Sequence, residues 1–428
     1  MNQLASPTRS PFQWWLLGTV LLLAGLGLLN LSSAARDLER NLAIVQAIYL
    51  GVGTLLALVL AAFDYRWFEK LAYPLFVLTL VMLLSVLVFG RVVSGARRWF
   101  HLGFFNFQPS ELAKIALILA LAKYFSDESE VPERGYSLWQ LVKPATPLYP
   151  LGALGALVLY WEKEPLAALG GLRIALIGIC LAWAALSVLW AFRRGHTTWH
   201  DLLSPVILII LPALLVMRQP DLGTALSLFA IGGTMILFMK VRPRSFLIAV
   251  AGLTAASIAS WYLVLKPYQK DRILSFLSPG SDNMGTGYHA LQSLIAVGSG
   301  QAWGKGYGQS TQTAFHFLPE QHTDFVFSVW AEERGFVGCL VVVALFLALL
   351  VQVINLASSA RDRFGALVGV GMAGLIFWQA FINIGMVIGA LPVVGITLPL
   401  WSYGGSSVLA VMLGVGLLLS ISMRRSAR

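Results

Sequence analysis

The sequence predicts an all-α polytopic membrane protein, and three observations carry the prediction. Hydrophobic residues fill 58% of the 428 positions and charged residues only 12%, with a mean hydropathy of +0.77, well outside a soluble globular chain. Apolar runs long enough to cross a bilayer recur along the chain. Basic residues gather in the short stretches between those runs, on one side of an alternating topology.

Taken in order, spans are expected at about 13–33, 43–62, 71–89, 111–125, 148–161, 171–192, 202–217, 222–240, 245–265, 335–356, 367–390 and 405–423. The first ends in LSSAARD, which resembles a signal-peptidase site, but its apolar core exceeds a signal h-region and a retained helix is expected. Arg66, Lys70, Arg193, Arg194, Lys240, Arg242, Arg244, Arg361, Arg363, Arg424, Arg425 and Arg428 fall on the side of the N-terminus, which the positive-inside rule makes cytoplasmic. Arg97 and Arg98 fall opposite, in a longer loop. Residues 266–334 then form an extracytoplasmic loop before the third-last span.

Composition also excludes some functions. Cys180 and Cys339 each sit in an apolar run, which supports packing rather than a disulfide framework or a zinc site. The net charge of +10 is small for this length, and no basic block is interleaved with aromatics as a nucleic-acid groove needs.

The external loop carries the most informative chemistry. An amphipathic piece at about 287–297 suits the headgroup layer, and Gly298, Gly300, Gly304, Gly306 and Gly308 follow it. These glycines permit turns; exposed N–H groups among them would also suit an anionic group such as a diphosphate. FLPEQHTDF then places Glu320, His322 and Asp324 together. Desolvation at a membrane surface favours a protonated acid, which suits Asp324 as a general base; a helix cap or an arginine ion pair are the other roles open to it. Within the spans, Glu111 and Lys114 lie three apart on one face, Arg218 and Asp221 end a span, and Asn383 precedes a Pro/Gly-rich break. Helix-packing hydrogen bonds or ion pairs explain each of these equally well.

RRWFHLGFFNFQPSELAK, QPDLGTAL, GYHALQSLIAVGSG, WGKGYGQSTQ, FLPEQHTDFVFSVWAEERGFVG and NIGMVIGALPVVGITLPLWSYGGSS, in that order, resemble the SEDS (shape, elongation, division and sporulation) family from about residue 13 to 425, apart from the stretch near 126–200. The GSG, GKG and TQ details look like its rod-shape branch, RodA, rather than the division branch, FtsW. The resemblance implies a single integral-membrane domain, a helical bundle of about ten core spans, with residues 126–200 adding a two-helix hairpin. It also implies an inner-membrane glycosyltransferase that polymerises lipid II during cell elongation, within the elongation machinery and beside a class B penicillin-binding protein acting as transpeptidase.

By the same resemblance Asp324 is the family's essential acid. It would deprotonate the C4 hydroxyl of one lipid II for attack on C1 of another, with inversion and loss of undecaprenyl diphosphate. The implied substrate-binding candidates are Arg97, Arg98, Glu111, Lys114, Arg218, Asp221, Arg272, Glu320, His322, Asn383 and Ser406, with Mg or Mn as an implied cofactor although no ligand spacing marks a metal site. Arg334 departs from the family pattern, and beside Glu332 or Asp324 it would hold an acid ionised. A lipid II flippase, an FtsW-like division polymerase and a non-catalytic scaffold are the competing readings. Polymerisation by purified protein separates the enzyme from the flippase and the scaffold.

Overall fold

Apolar helices dominate the structure, a computed structural model that describes residues 12–36, 41–93, 96–101, 103, 106–128, 135–142, 204–263, 270, 274, 286–315, 317–318 and 320–424. The expected spans at 148–161 and 171–192, most of the 126–200 hairpin, Cys180 and Arg272 lie outside the described residues. The other ten expected spans are all helices: α1 (Trp14–Ala34), α2 (Leu42–Ala62), α3 (Arg66–Phe89), α4 (Pro109–Ser126), and, after a short α5 (Leu138–Val142), α6 (Pro205–Arg218), α7 (Leu222–Phe238) and α8 (Pro243–Leu263). The external loop contributes α9 (Thr286–Ser299) and a single turn, α10 (Thr311–Ala314), before α11 (Val326–Ser358), α12 (Arg363–Val387) and α13 (Gly405–Met423). Six of these, α1, α2, α3, α11, α12 and α13, are long and apolar enough to cross a membrane, and α6, α7 and the first part of α8 are shorter apolar helices.

α4 is the axis of the bundle. It is apolar nearly all round, as a helix enclosed by other helices must be, and it packs against α3, α6, α7, α12 and α13. α2 lies along α13 through small residues: Gly53 meets Met412, and a Cβ on Gly416 would stand 2.8 Å from the Cα of Ala57. α2 and α3 turn Ile44, Ile48, Leu55, Val77, Val81 and Val88 outward, which is the arrangement lipid selects because an apolar surface loses nothing there.

Two features depart from expectation. RVV, ARRWFH and NF form a three-stranded antiparallel sheet, β1 (Arg91–Val93), β2 (Ala96–His101) and β3 (Asn106–Phe107), pairing Val92 with Arg97 and Phe100 with Phe107. β1 and β3 are too short for periodicity to be read, and ARRWFH of β2 does not alternate apolar with polar residues. α11 begins at Val326, ahead of the span expected at 335–356 and at the earlier of the two helix starts, near 325 or near 335, that the sequence leaves open, with Glu332, Glu333 and Arg334 inside the helix.

Candidate functional site

Asp324 occupies a tight turn fixed from several directions. Glu320 takes φ +52, and its carbonyl accepts from the N–H groups of Thr323, Asp324 and Phe325 at 3.1, 3.1 and 3.3 Å. The next carbonyls accept from other elements: His322 from the Tyr403 N–H at 2.9 Å, Thr323 from Ser402 Oγ at 2.6 Å, Asp324 from Asn383 Nδ2 at 2.9 Å and Val326 from Asn30 Nδ2 at 2.7 Å. Asn383, expected either to pack or to bind substrate, thus holds the main chain of Asp324, and it also bonds the Ile396 carbonyl at 2.7 Å. Buried irregular backbone needs such donors because no water replaces them.

The Asp324 side chain is half-buried. It is not the helix cap that sequence left open, since Phe325 holds the N-cap position of α11 and no side chain caps it. Its carboxylate rests against Gly395, where an added Cβ would lie 3.2 Å from Oδ2, and Gly395 itself takes φ +73. Glu320 and His322 approach one another to 3.9 Å at the rim. Burial of the imidazole pulls the His322 pKa below its usual value, against the opposing pull of Glu320.

A second cluster adjoins this turn. Asp221 caps α7, accepting from the Thr224 N–H at 3.1 Å and Thr224 Oγ1 at 2.9 Å, and it also accepts from Gln108 Nε2 at 3.2 Å. Ser406 accepts from the Gln108 N–H and donates to the Asn106 carbonyl, both at 3.0 Å, joining α13 to β3 and α4. One turn along α4, Lys114 and Glu111 pair at 2.8 Å with side chains 3% and 7% exposed. The loop before α13 links the two clusters: Gly223 in the first turn of α7 abuts the Val394 carbonyl and Ile396, and Thr397 meets Ser407 at 3.2 Å.

The cationic candidates separate. Arg98 donates to the carbonyls of Gln219 (2.8 Å) and Pro220 at the end of α6, where it complements the helix dipole. Arg97 is exposed, Arg218 ends α6 half-buried, and Arg272 is outside the described residues. Arg334 lies over the rings of Trp330 and Tyr307 at 5.6 and 5.8 Å, so the cation beside Glu332 is Lys305, at 2.6 Å. No group of three or more His, Cys, Asp or Glu gathers to hold a metal among the described residues.

The glycine-rich loop serves the protein rather than a ligand cradle. At Gly335 (φ 63, ψ −164) α11 is interrupted. Lys305 N–H bonds the Glu332 carbonyl and Gly306 N–H the Glu333 carbonyl, both at 3.0 Å, while Phe336 N–H and Val337 N–H bond the carbonyls of Gln301 and Ala302 at 2.8 and 3.1 Å. Gly308 N–H bonds Glu333 Oε1 at 3.0 Å. A Cβ on Gly300 or Gly304 would collide with the carbonyl of Ala331 or Glu333. This role of Glu332, Glu333 and Lys305 was not read from sequence; the one available signal was a pair of acids inside an apolar segment. Beside it a cavity of about 330 Å3, lined by Gln301, Phe327, Ala331, Cys339 and Ile384 among others, opens between α9, α11 and α12.

Residues 12–158 and 173–427 match the family model FtsW/RodA/SpoVE, described as cell cycle protein, which takes in every element above. The chain belongs to this family. Among FtsW/RodA/SpoVE relatives it is similar to the peptidoglycan glycosyltransferase MrdB of Escherichia coli (strain K12), 34% identical over 377 residues, covering 88% of this chain and 84% of that one. To the peptidoglycan glycosyltransferase RodA of Treponema pallidum it is 32% identical over 430 residues, covering 97% and 98%. The helical frame is also that of the crystal structure of the Thermus thermophilus rod shape determining protein RodA, with a TM-score of 0.61 and 30% identity over all of both chains. A chain from a structure described as coordinating polymerization and crosslinking in a peptidoglycan synthase complex gives a TM-score of 0.70 at 31% identity, covering 97% of this chain and 99% of that one. The family model skips residues 159–172, which fall within the 126–200 segment.

Proposed function

We propose that this membrane protein is a RodA-like peptidoglycan glycosyltransferase that polymerises lipid II, with Asp324 as the general base. The observation that carries the assignment of the base is a half-buried carboxylate whose main chain is pinned through Asn383 and whose side chain has a glycine, Gly395, cleared for it. Asp324 takes the proton from the C4 hydroxyl of the acceptor sugar as that oxygen bonds C1 of the donor and the bond from C1 to the diphosphate oxygen breaks. One carboxylate suffices, because attack from the face opposite the leaving group inverts the configuration in a single step.

Orientation supports the reading. Arg66, Arg363 and Arg424 gather at the end of the bundle opposite Asp324: Arg66 beside Asp362 at 3.6 Å, Arg363 on the Glu128 carbonyl at 2.9 Å, Arg424 beside Asp64 at 3.8 Å. The positive-inside rule makes that end cytoplasmic and Asp324 extracytoplasmic. The apolar cavity beginning at Phe327, three residues from Asp324, suits part of the polyprenyl chain. Arg97, which is exposed and spends one N–H on the Leu87 carbonyl at 3.4 Å, is the cation proposed to meet the departing diphosphate. The partner proposed is a class B penicillin-binding protein, in line with the synthase-complex neighbour.

The test uses purified wild-type and Asp324→Asn protein, each with its partner, incubated with lipid II and read as glycan polymer on a gel. Polymer from wild type and none from a folded, partner-bound Asp324→Asn is the expected result. Equal polymer from both removes Asp324 from the chemistry, and none from either removes the polymerase.

A further inference from the structure

An unbroken α11 would carry two backbone rungs across residues 332–337, from Phe336 N–H to the Glu332 carbonyl and from Val337 N–H to the Glu333 carbonyl. Gly335 breaks the helix there, and all four of these groups bond the loop 301–306 instead. The loop thus fills a missing turn. Its own side is held by two carboxylates buried to 0% and 2% exposure. Glu332 accepts from Lys305 Nζ at 2.6 Å, Ser310 Oγ at 2.5 Å, Thr311 Oγ1 at 2.7 Å and Thr311 N–H at 3.0 Å. Glu333 accepts from Gly308 N–H and from Ser33 on α1.

The interruption has a mechanical result. Residues 326–334 form a short helix that is not a continuation of the long lipid-facing remainder of α11. One end of the short helix leaves the Asp324 turn; the other ends where Glu332 and Glu333 bond Lys305, Gly308, Ser310 and Thr311, a clasp between helix and loop. We infer that Glu332, with Lys305 on the inserted loop, positions the short helix and through it Asp324, and that neither residue touches substrate. This rests on the assignment of Asp324 as base. Two features favour positioning over simple stabilisation. The clasp joins the interruption to α1 through Ser33, the same helix whose Asn30 holds the Val326 carbonyl at the Asp324 end, so both ends of the short helix are referred to one frame. The loop N–H groups of Lys305, Gly306 and Gly308 are already engaged by α11, which leaves them none to offer a diphosphate.

The experiment compares Glu332→Gln, Lys305→Met, Lys305→Arg and Asp324→Asn with wild type, each purified with its partner, by lipid II polymerisation kinetics and by amide hydrogen exchange. Glu332→Gln and Lys305→Met are expected to lower kcat tenfold or more with KM for lipid II unchanged. Lys305→Arg, which keeps the charge, is expected to restore most of the turnover. In the two impaired variants exchange should rise together at 301–306 and at 336–337. Lys305 is 29% exposed and its removal leaves Glu332 the Ser310 and Thr311 donors, so Lys305→Met reads the effect even where Glu332→Gln does not fold. A raised KM with unchanged kcat would make the loop a substrate contact and overturn the inference; so would unchanged kcat alongside increased exchange. Wild-type turnover in Asp324→Asn defeats the base assignment instead, whereas an inactive Asp324→Asn beside fully active clasp variants defeats positioning alone.

Discussion

Gly395→Ala tests whether the position of the Asp324 carboxylate, and not merely its presence, sets the rate. Two costs attach to the added methyl. Gly395 sits at φ +73, where an L side chain costs about 1–2 kcal/mol, a stability loss visible as a lower Tm. The methyl also lands 3.2 Å from Asp324 Oδ2, inside ordinary van der Waals contact, so the carboxylate must retreat by a few tenths of an ångström. Since a misplacement of about 1 Å costs on the order of a hundredfold in rate, this retreat predicts a drop in kcat of roughly three- to tenfold. Lipid II binding, made elsewhere, should hold KM within about twofold. The assay is initial-rate polymerisation by the purified complex across a lipid II titration, with thermal melting of the same samples to read strain separately. A lowered Tm with wild-type kcat would refute the reasoning, because the strain would then be present and the carboxylate indifferent to its position.

The buried Glu111 and Lys114 pair predicts a non-additive pair of substitutions. Lys114→Met leaves an uncompensated acid inside the bundle and should destabilise by about 3–5 kcal/mol, while adding Glu111→Gln should recover most of that loss in a denaturation experiment. His322 predicts acid sensitivity. Its folded pKa lies below the ordinary 6.5, so the unfolded chain takes up the proton first, and its contribution to stability is full above that value and declines as pH falls through 6.5 toward the folded pKa. His322→Gln should shrink the drop in Tm between pH 7.5 and 5.5, and an unchanged drop would assign the sensitivity elsewhere.

α1, α2, α3, α11, α12 and α13 were legible because each is a long apolar run, whereas α4, which carries Glu111, Lys114 and Lys123, is short and weakly marked in the sequence. The turn that carries Asp324 was marked in the sequence as acids set in an apolar stretch, and the role proposed for Asp324 came from the family resemblance. The clasp was not legible, because its charges looked like those of a solvated loop. Glu332 and Glu333 are held by backbone and hydroxyl donors that lie 20 or more residues upstream, and no local pattern records such partners. The glycines at 300 and 304 were visible, but their reason is a close approach to α11 that only the folded chain creates. Arg98 illustrates the same limit: a basic residue named among the substrate-binding candidates also closes the end of a neighbouring helix, a contact that no local pattern records.

The bonds around Asp324 join residues made early in synthesis to residues made last. Asn30 reaches Val326, Gln46 reaches the Ser402 carbonyl at 2.9 Å and Ser406 reaches Asn106, separations of 296, 356 and 300 residues. A ribosome that has delivered Asp324 to the membrane has therefore not yet delivered an enzyme, since Asn383, Ser402 and Ser406 are still to come. Nascent chains and premature-stop products carry Asp324 without the residues that fix its turn.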